Sequence, residues 1–210
     1  TSEDLAHVAV ATRKHACWNQ NATMRKPMTI ADHQASRFIV EPLRLFDCAL
    51  ESDGGGAVLV TSTERARDFP KRPVAILGMG QHHPHFSLMD APTLTTLGGK
   101  KSSELAYKQA GLTPKDMDFA EIYDCFTITT MITLEDYGFC KKGEGKDFVK
   151  NGRIEVGGEL PVNTHGGLLS QAHIEGMLHV TEAVKQLRGN EVEPERQVKN
   201  AKTGIVSGHG

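Results

Sequence analysis

The chain has 210 residues, of which 39% are hydrophobic and 24% charged, with 21 glycines and a formal net charge of −2. That composition can bury a core, so wholesale disorder is excluded. The near-neutral charge speaks against a nucleic-acid protein that works by phosphate neutralisation, and no apolar run is long enough to cross a bilayer.

The N-terminus lacks a basic segment followed by an apolar core, so no signal peptide is read there. The four cysteines, at 17, 48, 125 and 140, form no Cys-x-x-Cys pair. They are read as free thiols of a reducing, cytoplasmic setting rather than as a disulfide framework.

In chain order, residues 2–17 predict an amphipathic helix capped by Ser2, with Leu5, Val8, Ala9 and Thr12 at helical spacing. Residues 18–47 predict irregular polar chain broken by Pro27 and Pro42, with a short helix over 30–36 capped by Thr29. Asp53 to Val60 predicts a glycine turn entering a buried strand that ends near Ser62. The charged, proline-bearing 64–73 segment predicts a subdomain boundary, and Pro73–Leu77 a second buried strand. A helix capped by Ser102 or Ser103 stops at Gly111, followed by a capping pattern at Thr113-Pro114-Lys115-Asp116. A short strand is expected over 118–122, a helix from Cys125 to Tyr137, and a glycine- and lysine-rich excursion over 138–162. Ser170 to Arg188 reads as the strongest helix, with Met177, Val180, Val184 and Leu187 as its apolar stripe. A last strand is expected over 203–207. Strands alternating with helices predict an α/β layered fold.

Three segments fall at strand ends, where α/β folds place reacting groups: Tyr123-Asp124-Cys125-Phe126, the run from Asn163 to His173, and Gly208-His209-Gly210. His173 is placed in the first turn of the 170–188 helix. There the helix dipole disfavours imidazolium, and a neutral ring can bond an oxyanion or accept a proton. A surface histidine beside the Gly166-Gly167 turn is the competing reading. Cys125 opens a helix, which lowers a thiol pKa, although taken alone it reads better as a buried small hydrophobe. Gln81 to His85 carries three histidines, but no acidic or cysteine partners complete a metal site, so none is expected. Gly98-Gly99-Lys100-Lys101-Ser102 fails the phosphate-loop pattern because Leu94 stands where its first glycine belongs. Lys141, Lys142, Lys146 and Lys150 read as a solvated face that a nucleotide phosphate could also use.

Taken together and in this order, these segments and the runs from Leu5 to Ala22 and from Ser36 to Val60 resemble the thiolase superfamily. The nearest likeness is its sterol-carrier-protein-x-like, lipid-transfer-protein branch. The resemblance implies a layered α/β/α/β/α sandwich of two similar halves. Residues 1–65 would be the loop region and last strands of the N-terminal half, and 66–210 the C-terminal half without its final strand. Tyr123-Asp124-Cys125-Phe126 stands where the branch has His-Asp-Cys-Phe. Ala172-His173-Ile174 stands for Gly-His-Pro, and Gly208-His209-Gly210 for Cys-x-Gly. The resemblance therefore implies catalytic roles for Tyr123, Cys125, His173 and His209. It implies substrate contacts for Asp124, Phe126, Asn163, Gly166, Gly167 and Ser170. Cys125 would inherit the acid/base role, and His173 would bind the thioester oxygen.

The nucleophilic Cys-x-Ser motif of the family does not occur here, so the sequence looks trimmed at both ends. The first expectation is the portion of a thiolase-like acyltransferase, acting on acyl-CoA thioesters, that lacks the nucleophile half. A retro-aldolase on a β-hydroxyacyl-CoA, favoured by Tyr123, is the alternative. A non-catalytic assembly subunit is the third. The implied setting is a homodimer with coenzyme A thioester as substrate and no tightly bound cofactor. A small OB-fold, zinc-ribbon partner protein goes with the aldolase reading.

Overall fold

The computed structural model describes residues 1–208. Helix α1 spans Ser2–Trp18 and α2 spans Ile30–Ala35. Thr1, not Ser2, caps α1: its hydroxyl accepts from Asp4 N, and the Asp4 carboxylate bonds back. Thr29 and Asp32 repeat this capping box on α2. Strands β1 (Phe38–Val40) and β2 (Leu43–Arg44) pair antiparallel in a small hairpin.

The two buried strands expected after Asp53 and Pro73 do not form. Residues 54–60 and 73–78 have no regular structure and join no ladder, and Leu59, Val60, Ile76 and Leu77 are exposed. A strand needs a neighbour to satisfy its backbone, and no described strand lies beside either run. The second run lies against α3 (Gly99–Ala110), so closely that a β-carbon at Gly78 would come within 3.1 Å of Ala110 N.

Beyond α3, which stops at a left-handed Gly111 as expected, the order is β3 (Phe119–Glu121), α4 (Thr127–Asp136), α5 (Gly145–Phe148), α6 (Met177–Arg188) and β4 (Gly204–Val206). β3 and β4 run parallel, with Phe119 against Gly204 and Glu121 against Val206. One hydrophobic core joins Leu5, Val8 and Ala11 of α1 to Ala120 and Ile122, to Met131 and Leu134 of α4, and to Phe148, Val162 and Leu169. β3 therefore ends inside the core and delivers Tyr123 and Asp124 to its edge. None of the described helices is long and apolar enough to cross a membrane.

The 170–188 region departs most from expectation. Residues Gly167–Gln171 form one π-helical turn, Ala172 is extended, and α6 begins only at Met177. The break follows from backbone geometry: Glu175 and Gly176 both hold positive φ, 46° and 76°, which no continuous helix can contain. The apolar stripe of α6 is also not its buried face. Met177, Val180, Val184 and Leu187 are half-buried, whereas His179, Glu182, Ala183 and Gln186 are buried. A polar face can go inside because most of its groups are partnered. Gln186 Nε2 donates to Thr164 Oγ1 (2.9 Å), Glu182 Oε1 (2.8 Å) and the Arg196 carbonyl (2.9 Å).

Candidate functional site

β3 hands the chain to Tyr123 at its carboxyl end, and the Tyr123 N–H donates to Ser207 Oγ at 2.8 Å. The Tyr123 ring projects toward the 172–176 loop. Its hydroxyl lies 2.9 Å from His173 Nε2 and reaches Glu175 Oε2 at 3.3 Å. Glu175 Oε1 is 3.9 Å from His173 Nε2. A phenol, an imidazole and a carboxylate thus converge at the edge of the core. Burial, reinforced by the Glu175 charge, pushes the Tyr123 pKa up to about 12, so the phenol is protonated at neutral pH.

His173 does not stand in the first turn of a helix. It lies in the loop between the π-helical turn and α6, so the helix-dipole argument does not apply to it. Its backbone N–H donates to Ser52 Oγ at 3.3 Å.

Cys125 sits just ahead of α4, whose N-cap is Phe126. Its sulfur is 3.5 Å from Thr129 Oγ1. Burial pushes this thiol up, outweighing the Thr129 hydrogen bond, so the expected lowering is reversed. Phe126 is 40% exposed and bridges to Cys48.

Asp124 is fully buried behind Tyr123. Its carboxylate accepts from Leu168 N (2.8 Å), Leu169 N (3.4 Å) and His179 Nε2 (3.2 Å). Gly167, at φ 59°, carries the chain past it so closely that a β-carbon would lie 2.7 Å from Asp124 Cγ. Gly166 packs equally tightly on Ala16. Asn163 gives its whole amide to one residue: Oδ1 accepts from Ile122 N (2.6 Å) and Nδ2 donates to Ile122 O (2.8 Å). Ser170 Oγ accepts from Arg13 Nε at 2.9 Å. These residues are committed to holding the turn, while Tyr123 and His173 face each other. His209 lies outside the described residues.

The sequence reading missed the groups behind the site. His165 is buried with Nδ1 2.8 Å from Glu121 Oε2, in ion-pair contact but out of line for a hydrogen bond. Burial opposes its charge, yet Glu121, with Glu182 and Asp124, lifts its pKa above the usual histidine range. Burial likewise opposes Glu182, but His165 and Arg196 hold its carboxyl low. The available signal was the spacing of His179, Glu182 and Gln186, which puts three polar side chains on one helix face. Glu175 had no such signal, because its role follows from a left-handed backbone. A cleft of about 450 Å³ is lined by Asn19, Asp53, Gln171, Ile174, Glu182 and Arg196, with neither Tyr123 nor His173 in its lining. The histidines at 82, 83 and 85 lie in a surface loop, and no described group of side chains is arranged to hold a metal ion.

The chain is similar to 17-hydroxy-3-oxo-4-pregnene-20-carboxyl-CoA lyase of Mycobacterium tuberculosis. The two are 48% identical over 98% of this chain and 56% of the lyase. It is 46% identical to a steroid side-chain-cleaving aldolase of Thermomonospora curvata, over 98% of this chain and 55% of the aldolase. The solved structure of an Ltp2-ChsH2(DUF35) aldolase superposes with a TM-score of 0.93 at 43% identity, covering 99% of this chain and 55% of that one. The chain thus spans about half the length of the curated relatives it matches. A family profile described as thiolase C-terminal domain-like matches residues 80–210, and the chain belongs to that family, with the α/β fold and the thiolase-branch likeness that its motifs carry.

Proposed function

We propose that the chain forms the Tyr123-bearing part of a retro-aldolase that cleaves a β-hydroxyacyl-CoA thioester. The observation that carries this reading is the Tyr123 hydroxyl lying 2.9 Å from His173 Nε2. Retro-aldol cleavage begins when the β-hydroxyl loses its proton. The Cα–Cβ bond then breaks, the carbinol carbon becomes a ketone, and the electron pair moves to the α-carbon as a thioester enolate. Proton return to that carbon completes the reaction. A phenol held protonated cannot itself start as the base. It can take the substrate proton while passing its own to His173 Nε2, which has the Glu175 carboxylate 3.9 Å away. The Cys125 thiol, kept protonated by burial, suits proton return better than nucleophilic attack.

The similarity to two steroid-cleaving relatives supports this reading over acyl transfer, which the sequence put first. No cysteine nucleophile is needed. By the same similarity the substrate class is a steroid carrying a tertiary hydroxyl β to a CoA thioester. The pairing of Ltp2 with ChsH2(DUF35) in the solved neighbour supports a small DUF35 partner of the OB-fold type. In this reading residues 1–65 go with the N-terminal half and 66–210 with the C-terminal half, and the assembly contains two copies of the chain.

The test uses the intact protein with its partner on 17-hydroxy-3-oxo-4-pregnene-20-carboxyl-CoA, measuring the 17-ketone and propionyl-CoA. Tyr123→Phe is expected to lower kcat/KM at least about 100-fold, the range for losing a positioned proton-transfer group. More than a tenth of the activity surviving, or products that form only when free CoA is added, would overturn the aldolase reading.

A further inference from the structure

His179 has no access to solvent and cannot touch substrate, yet it is the side chain stacked on the Tyr123 ring. The ring centroids are 6.3 Å apart and the planes 24° from parallel. Its Nε2 is held 3.2 Å from Asp124 Oδ1, and that carboxylate is fixed in turn by the Leu168 and Leu169 N–H groups. A second constraint on Tyr123 comes from Gly176, where an added β-carbon would lie 3.1 Å from Tyr123 Cδ2. The ring is therefore contacted both by the start of α6 and by a histidine three residues along the same helix.

A buried histidine–aspartate pair is a poor way to gain stability. An apolar side chain of the same volume packs as well without the cost of desolvating charge. Among the described residues His179 Nδ1 also finds no hydrogen-bond partner, which stability alone would not favour. What the pair does supply is a flat, orientable ring whose plane is set by Asp124.

We propose that His179, oriented by Asp124, is a positioning residue that holds the Tyr123 ring with its hydroxyl on His173. Its activity readout rests on the aldolase reading, whereas its spectroscopic readout does not.

Two measurements on the intact protein test it. His179→Gln keeps a donor for Asp124 but removes the flat ring. On the same steroid CoA ester, kcat is expected to fall about 10- to 100-fold, as for a reacting group displaced by about an ångström, with KM within threefold. The wild-type protein labelled with 3-fluorotyrosine should show a narrow residue-123 resonance, identified by its loss in Tyr123→Phe and displaced from that of free fluorotyrosine. His179→Gln should broaden and move it. An unchanged kcat in His179→Gln overturns the proposal. So does a motionally averaged residue-123 resonance in the wild type, whether or not the variant folds. A wild type inactive on the ester but with a clamped Tyr123 would refute the aldolase reading and leave the positioning role standing.

Discussion

The Asp124 carboxylate occupies the space a side chain on residue 167 would need: a β-carbon built on Gly167 lies 2.7 Å from Asp124 Cγ. This contact ties the turn that follows β3 to the turn that leads to His173. It explains why residue 167 is a glycine, the neighbouring Gly166 being required by its own close packing on Ala16.

Gly167→Ala is therefore expected to be among the most disruptive small substitutions in the chain. It adds strain at φ 59° to a clash with a buried carboxylate already bonded to two backbone N–H groups. Loss of about 2–4 kcal/mol of stability is expected, read as a shift of the urea midpoint. A shift corresponding to less than about 1 kcal/mol would show that the turn relaxes freely.

Burial raises the pKa of all four thiols: Cys17, Cys48, Cys125 and, to about 11, Cys140. None should behave as an activated nucleophile. Alkylation by iodoacetamide, followed by mass spectrometry, should be slow at pH 7 at every cysteine and accelerate only above about pH 9. Rapid modification of Cys125 at pH 7 would restore it as a thiolate and revive acyl-transfer chemistry.

His15 links stability to pH. Its Nε2 accepts from Val156 N at 3.0 Å, which leaves Nδ1 to donate to the Asn163 carbonyl at 3.1 Å. The neutral ring is fully used, and burial pulls its pKa down to about 4. A histidine depressed in the fold costs nothing above its unfolded pKa near 6.5. It costs progressively more stability as pH falls toward 4, up to about 3 kcal/mol. His165 works in the opposite sense, so the comparison must be internal. Between pH 7 and pH 5, wild type should lose more stability in urea titrations than His15→Gln does. Equal losses in the two proteins would mean that His15 is not the group responsible.

Much of the local structure was legible in the sequence. Short-range devices set the capping boxes at Thr29 and Thr113 and the stop at Gly111, and these depend only on neighbours within one turn. The motif around Tyr123 and the histidine at 173 were likewise visible as residues. Their pairing was not, because fifty positions separate them and their segments meet through the contact of Asp124 with the 167–169 turn and the break ahead of α6.

Three features needed the tertiary structure. The strands expected near 57 and 74 failed because a ladder is a property of two segments, and an apolar run alone does not say whether a partner is present. The buried face of α6 was misread because hydrophobic periodicity counts apolar groups, whereas His179, Glu182 and Gln186 are buried by virtue of partners elsewhere in the chain. The ionisation of Cys125 could be read two ways from sequence, because position relative to a helix start is local, while desolvation, which raises the thiol pKa here, is set by everything packed around the sulfur. The sequence by itself thus determined the punctuation of the fold and the identity of the candidate side chains. Which of them meet, and in what state of charge, is decided by long-range packing and the low dielectric it creates.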